Sequence, residues 1–466
     1  MNEANNILKT FQNPLSGSGG AVYFLGIGGI GMSALARYFI SKKIKVSGYD
    51  KTPTTLTRQL ELEGINIHYV DDVKFIDKDA TIVVYTPAVP ADHTELNYYK
   101  NNNYQLMKRS EVLGIITSSQ YNICVAGTHG KTTTSAMVAH ILRDTGYGCN
   151  AFLGGIATNY NSNFWSSSNN VCVAEADEYD RSFLQLSPDV AVITAMDADH
   201  LDIYGTEKNM QDAFVAFTHR IKEGGLLISK KGLERSADFG AAQKMTYAVN
   251  DSSADIFTAN TRIGNGSYIF DLVINGEIIE DIELNMGGMH NIENVIAAIT
   301  VALHLGIDED GIKKAVANFS GVKRRFEYII KRHDVVMIDD YAHHPEELRA
   351  LLMSAKELFP GKKCTIVFQP HLYSRTQDLA NGFAEVLDMA DEIILLPVYP
   401  ARELPIAGVS SQLILDKMKN NKKSIKEKDE LLQWAKENKP ALFIVSGAGD
   451  VDTLIEPLKQ LLQNEL

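Results

Sequence analysis

At 466 residues the chain is too long for one hydrophobic core, so two to four domains are expected. Its 45% apolar and 22% charged content is ordinary for a soluble globular protein. No run approaches the ~18 apolar residues that cross a bilayer, so no membrane partner is expected. With 45 basic against 58 acidic residues the formal charge is −13, which argues against nucleic acid as the main partner, because a phosphate backbone needs concentrated Lys and Arg. Small phosphorylated ligands stay open, since a glycine loop holds phosphate with backbone N–H groups.

The four cysteines, Cys124, Cys149, Cys172 and Cys364, form no C-x-x-C pair and read as small core residues of a reducing compartment. The start, "MNEANNILKTFQNPLSGSGG", lacks the basic and apolar runs of a leader peptide, so a cytoplasmic location is expected.

In chain order, "AVYFLGIGGIG" reads as a strand running into glycines, followed by the helical pattern "MSALARYFISKK". "KVSGYD" and "ATIVVYTPAVP" are further strands, and this β–α–β alternation indicates a parallel, doubly wound sheet closed by the helix "KRSEVLGIITSS". A new strand, "YNICVAG", enters a second glycine loop, and apolar strands follow at "VCVAEAD" and "DVAVITAMDADH". Around Asn265–Gly266 and Asn275–Gly276 apolar and polar residues alternate, which signals hairpins and an added antiparallel region. The last third returns to strands "VVMIDD", "CTIVFQ", "EIILLPV" and "ALFIVS", each ending in a polar cluster. Ligands of open parallel sheets bind at such carboxyl ends. The fold class is therefore α/β with three domains, 1–116, 117–322 and 323–466.

Two loops carry the chemistry. Gly127, Gly130, Lys131 and Thr132 in "GTHGKTTT" fit the end of a phosphate loop: backbone N–H groups cradle phosphates, Lys131 reaches the β and γ oxygens, and the Thr132 hydroxyl binds Mg²⁺. The loop is tighter than the common pattern, which has a glycine where this chain has Val125. A nucleotide-bound metal needs carboxylates, and "VAEADEYD" offers Glu175, Asp177, Glu178 and Asp180. Glu175 is nearest the strand and is the best ligand; Glu178 fits better as a surface acid capping a turn. His200, among acids at the end of the next strand, is a second metal or phosphate contact. The first loop, Gly26, Gly28 and Gly31, reads G-x-G-x-x-G, with Asp50 19 residues on, the spacing at which an acid takes a ribose hydroxyl. Alone it favours a dinucleotide. Followed by a triphosphate loop and no nicotinamide substrate domain, it favours a nucleoside diphosphate used as a substrate handle.

The ordered set "GIGGIGMS", "GTHGKTTT", "EADEYD", "DADHLD", "GMHNIENVIAA", "RRFE", "DDYAHHPEE", "QPHLYSRT" and "SGAGD" resembles the Mur ligases, ADP-forming amino acid ligases of peptidoglycan synthesis. The likeness runs from about residue 20 to 450. It implies an N-terminal Rossmann-like domain for a UDP-sugar, a central P-loop ATPase domain with added antiparallel strands, and a C-terminal Rossmann-like domain for the amino acid. "QPHLYSRT" and "PVYPARELPI" are most similar to the branch that joins L-alanine to the lactyl carboxylate of UDP-N-acetylmuramate. The alternative is the branch that recycles the murein tripeptide L-Ala-γ-D-Glu-meso-diaminopimelate. No Lys lies between Met210 and His219, where branches adding later amino acids carry a carbamylated one.

Residue by residue, the resemblance implies that Gly26, Gly28, Gly29, Ile30, Gly31, Asp50 and Thr86 bind the UDP-sugar. Gly127, Thr128, Gly130, Lys131, Thr132 and Thr133 would hold the ATP phosphates, and His290, Asn291 and Asn294 the adenine side. Arg325 would reach the triphosphate, with Asp339 and Asp340 nearby. Thr132, Glu175 and His200 would hold Mg²⁺ or Mn²⁺, and Tyr341, His343 and Arg375 would place the alanine. The implied catalytic set is Lys131, Glu175, His200, His343 and Arg375. Many relatives have Arg after the "QPH" histidine; this chain has Leu372, which puts more weight on Arg375. The implied assembly is a monomer or homodimer.

Overall fold

The computed structural model describes residues 20–401 and 403–463, so the N-terminal segment read as lacking a leader lies outside the described residues. Three sheets form, in the order the sequence expects. The first strands are β1 (Ala21–Leu25), β2 (Lys45–Tyr49), β3 (Asn66–His68), β4 (Ala80–Tyr85) and β5 (Gln105–Lys108), paired in parallel in the order β3-β2-β1-β4-β5. The order reverses beside β1, so the crevice at its carboxyl end is the topological switch point, and the first glycine loop begins there. β1 is buried along its whole length, "AVYFL", because helices cover both faces of a parallel sheet.

The second sheet contains β6 (Tyr121–Ala126), β7 (Asn150–Ala157), β8 (Ser162–Trp165), β9 (Val171–Glu175), β10 (Val190–Ile193), β11 (Leu226–Lys230), β12 (Gln243–Ala248), β13 (Ile256–Gly264), β14 (Ser267–Ile274) and β15 (Glu277–Leu284). Its order is β15-β14-β13-β12-β11-β10-β6-β9-β7-β8. β6 lies between β9 and β10, with Val125 opposite Glu175 and Ala126 opposite Ile193, so three strand ends finish level. The two Asn-Gly pairs make the expected turns: Asn265, Gly266, Asn275 and Gly276 all have positive φ (+52°, +72°, +52° and +83°), the conformation of type I′ hairpins.

The third sheet contains β16 (Glu327–Lys331), β17 (Val336–Asp340), β18 (Cys364–Phe368), β19 (Glu392–Leu395), β20 (Lys423–Ile425) and β21 (Leu442–Ser446), in the order β16-β17-β21-β18-β19-β20, with only the edge strand β16 antiparallel. Asp340 and Phe368 both face Ser446, so here too the strand ends align.

The described residues fall into two compact units. The first runs to Ala259 and adds Leu272–Ile279 and Glu293–Val316; the second comprises Asn260–Asp271, Glu280–Ile292 and the chain from Ala317 on. The first unit packs the first two sheets through a continuous apolar core that includes Phe24, Phe39, Cys124, Phe152, Phe183 and Phe214. Each such phenylalanine contributes roughly 1.5–3 kcal/mol of transfer free energy. All four cysteines are buried thiols, and burial pushes Cys149 and Cys364 up to about 12, so they act as core residues. Among the described residues no helix is long and apolar enough to cross a membrane.

Candidate active site

The first loop leaves β1 through Gly26 (φ +82°), and the N–H groups of Gly26 and Ile27 donate to the Tyr49 carbonyl (2.8 and 3.0 Å). Gly28 N–H donates to Asp50 (2.7 Å). A Cβ at Gly28 would lie 2.7 Å from that carboxylate oxygen, so only glycine lets Asp50 close on the loop. Expected near the nucleoside, Asp50 thus spends one oxygen on the loop itself. Thr86 packs on the same turn: a Cβ at Gly26 would be 3.1 Å from its methyl group. Gly29 precedes the helix Ile30–Ser41 and supplies no side-chain cap, which leaves the first-turn N–H groups to an anion. The Ile30 carbonyl accepts from Asn163 Nδ2 (2.6 Å), which also donates to Ser33 Oγ (3.0 Å). The Asn163 amide oxygen accepts from buried Arg37, itself bidentate on Glu63 (2.7 and 2.9 Å). A side chain of the second sheet therefore fixes the helix that the first loop opens.

The second loop leaves β6 through Gly127 (φ +139°), where a Cβ would collide with Thr194 Oγ1. Thr128 N–H donates to the Ala195 carbonyl, and the Thr128 hydroxyl accepts from Asp197 N–H, each at 3.1 Å. Gly130, left-handed at φ +81°, is the N-cap of the helix Lys131–Asp144 and again gives no side-chain cap. A Cβ on Gly130 would stand 2.5 Å from Asn294 Oδ1, which accepts from Thr134 (3.1 Å); Asn294 thus lies against the loop. Thr133 follows, buried in the first helical turn. Lys131 Nζ donates to the Gly127 carbonyl (2.7 Å) and to Glu178 (2.8 Å). Thr132 Oγ1 donates to one oxygen of Glu175 (3.1 Å), and Gly154 N–H donates to the other (3.0 Å).

Glu178 corrects the sequence reading. It is no surface acid: it is fully buried. The chain turns back through left-handed Asp180 and Arg181 (φ +50° and +61°), and the Tyr204 hydroxyl donates to the Glu178 carbonyl (2.6 Å). Glu178, Asp199 and His200 offer ligand atoms that all lie within 4.8 Å of one another. Glu175 stands outside that group, on Thr132, so the acids make two stations, one on the Lys131 ammonium and one on the Thr132 hydroxyl. Glu178 Oε2 is buried without a hydrogen-bond partner, an arrangement that fits a divalent cation.

Within the second unit, Arg325 sits between left-handed Arg324 and Phe326 (φ +60° and +48°). The Arg324 guanidinium lies over the Tyr341 ring (4.9 Å), and its Nε is 3.8 Å from Asp339. Burial pushes the Asp339 carboxyl up to about 7. Both Asp340 oxygens accept backbone N–H groups, from Phe326 and Ala342 (2.7 Å each), and burial pushes this carboxyl up to about 6. Asp340 thus shapes the loop that carries Arg325. His343 Nδ1 is 3.0 Å from the Tyr341 carbonyl, which can only accept, so Nδ1 is the donor of that bond. The His343 ring lies 6.5 Å from that of His371, which stacks on Tyr399 (5.8 Å). Burial, then Arg375 and His343, lower the His371 pKa. Arg375 Nη1 is buried without a partner, as expected of a group awaiting a carboxylate. Leu372 adopts φ +70°, a strained position for a leucine at the head of the helix Tyr373–Leu387. His290 packs on Gly288, and Asn291 Nδ2 donates to the Gly287 carbonyl (2.6 Å).

Three family models match in succession: the catalytic domain of the Mur ligase family over residues 21–121, the Mur ligase middle domain over 125–302, and the glutamate ligase domain of Mur ligases over 324–449. The chain belongs to the Mur ligase family. Among relatives of this Mur ligase, the UDP-N-acetylmuramate–L-alanine ligase of Parabacteroides distasonis is 49% identical over 453 residues, 96% of this chain and 98% of that protein. The enzyme of the same name from Flavobacterium johnsoniae is 47% identical over 96% and 98% of the two chains. The crystal structure of the UDP-N-acetylmuramate–alanine ligase of Thermotoga maritima superposes with a TM-score of 0.82 at 28% identity, covering 96% of this chain and all of that one. A murein peptide ligase from Psychrobacter arcticus shares the fold, with a TM-score of 0.66 at 22% identity.

Sequence reasoning missed Glu178, Asn163 and Gln369. Gln369 is buried, donates to Asp450 (2.8 Å) and leaves Oε1 without a partner. Its place between a β-strand and "PH" was the available signal. Nothing local marks Asn163, whose partners Ile30, Ser33 and Arg37 lie 126 to 133 residues away.

Proposed function

We propose that this Mur ligase joins L-alanine to the lactyl carboxylate of UDP-N-acetylmuramate, with ATP cleaved to ADP and phosphate. The observation that carries the reading is a pair of uncapped, glycine-opened helices at the carboxyl ends of two central strands, one beside Asp50 and one starting at Lys131 and Thr132, which hold Glu178 and Glu175. The names and full-length identity of the relatives support the choice of substrates.

A carboxylate is a poor electrophile for an amine. One lactyl oxygen attacks the γ-phosphorus of ATP, the bond to the β-phosphate oxygen breaks, and ADP leaves. The alanine amine then attacks the acyl carbon, the C–O bond to phosphate breaks, and a proton leaves the nitrogen. In the first step several negative oxygens converge, and the Lys131 ammonium, the loop N–H groups and Arg325 would balance them. Thr132 with Glu175, and Glu178 with Asp199 and His200, would hold Mg²⁺. An ion bound there would supply charge neutralisation at the phosphoryl oxygens. His343 would take the amine proton, and Arg375 would hold the alanine carboxylate.

Isotope transfer tests the path. With ¹⁸O in the lactyl carboxylate, one labelled oxygen is expected in the released phosphate, together with a product heavier by one alanyl residue. Phosphate free of ¹⁸O in the presence of that product would sink the acyl phosphate step.

A further inference from the structure

The helix Arg109–Ser118 closes the first sheet and has so far carried no function. Its first residue lies on the first glycine loop: a Cβ at Gly31 would be 3.0 Å from Arg109 Cδ and 3.1 Å from Nη1. The Arg109 side chain therefore packs directly against the third glycine of the motif. Arg109 Nη2 reaches Asp177 at 3.4 Å, a loose bond that leaves most of its fork of five donors uncommitted among the described residues. Asp177 belongs to the "EADEYD" turn, between metal candidates Glu175 and Glu178, and its other oxygen accepts from Tyr179 N–H (3.1 Å). The helix that carries Arg109 is seated on the continuation of that turn: a Cβ at Gly114 would be 2.7 Å from the Gln185 carbonyl.

Electrostatics makes the need concrete. Asp50 already places a carboxylate on this loop, and a nucleoside diphosphate adds two or more negative charges beside it. Backbone N–H groups alone leave that repulsion unbalanced. Guanidinium is the side chain suited to a diphosphate, because its planar fork binds oxygens in pairs.

We propose that Arg109 binds the diphosphate of the UDP-sugar and, through Asp177, couples occupancy of that loop to the turn that holds the ATP metals. This rests on the reading of the first loop as a UDP site. Arg109 answers to the diphosphate and leaves the nucleoside to other residues. Its link to Asp177 makes the two nucleotides favour each other, each raising the other's affinity by the same factor.

Calorimetry on the full chain separates these claims. Wild-type protein is titrated with UDP, with uridine, and with a non-hydrolysable ATP analogue with and without UDP. Arg109→Ala is expected to weaken UDP binding about 10- to 100-fold, the scale of a lost charge-assisted contact, while uridine affinity and thermal midpoint hold. Arg109→Lys should recover only part, since the paired geometry is lost. Asp177→Asn should keep UDP affinity within about threefold yet abolish the UDP-induced gain in analogue affinity. UDP affinity unchanged in Arg109→Ala overturns the contact, and coupling intact in Asp177→Asn overturns the link. A wild-type protein that fails to bind UDP fails the underlying reading instead.

Discussion

The loop at Gly26–Gly31 and the loop at Gly127–Thr132 both follow a buried parallel strand, and both open a helix whose N-cap is a glycine with no side-chain cap. Their surroundings differ. The first carries an acid of its own, Asp50, takes its cation from another element, and is clipped by Asn163 from the second sheet. The second supplies its own cation, Lys131, and sets it against buried Glu178, with Glu175 and His200 close by. A substrate handle has to be held in place. A triphosphate that is cleaved needs charge that can follow the moving phosphoryl group, and that is where the acids and the lysine collect.

Breaking the second loop should cost the most. Lys131→Ala is expected to lower kcat by about 10³-fold or more, while UDP-N-acetylmuramate affinity stays within about twofold, as read by phosphate release and calorimetry. Loss of both would mean that the two loops are not separate sites. Gly127→Ala forces an alanine to φ +139° against Thr194, a strain on the order of 1–3 kcal/mol. The thermal midpoint should fall and ATP-analogue affinity drop at least tenfold, with UDP binding kept.

The first loop should respond more gently. Asn163→Ala strips the clip from the Ile30 carbonyl and leaves buried polar groups short of a partner, a loss of about 1–3 kcal/mol. KM for the UDP-sugar should rise severalfold while kcat and KM for ATP hold. If KM for ATP shifts equally, the network is general scaffolding. The effect with the least bearing on catalysis is in pH. Glu95, fully buried in the first domain, accepts from the Tyr23 hydroxyl (2.6 Å), and burial pushes its carboxyl up to about 7. The folded value lies above the unfolded one of about 4.3, so the folded state keeps a proton that the unfolded chain has lost. Stability is then full below about pH 4.3, falls by at most about 1.4 kcal/mol per unit as pH rises towards 7, and is level beyond. Glu95→Gln should flatten that slope in denaturant titrations; an unchanged slope would assign it to other groups.

Much of this was legible in the chain. Strands flanked by glycines announced both loops, because a phosphate cradle needs residues that adopt φ > 0 or admit close backbone approach, and few sequences offer that in register. The Asn-Gly hairpins were legible for the same reason. What stayed hidden depends on contacts between distant residues. Short edge strands such as β3, β5 and β20 have too few residues to show a period. Glu178 looks like any turn acid until the reversal at Asp180 and Arg181 buries it under Lys131. Asp50 was placed by spacing alone, and only its bond to Gly28 shows what one of its oxygens does.

Two different nucleotides are bound, one held and one cleaved, and L-alanine is the acceptor. Phosphate release from ATP, followed while UDP-N-acetylmuramate and L-alanine are omitted in turn, tests it most directly. The expected result is release only with all three present, and none when L-Ala-γ-D-Glu-meso-diaminopimelate replaces alanine. Release without alanine, or release sustained by the tripeptide, would contradict it.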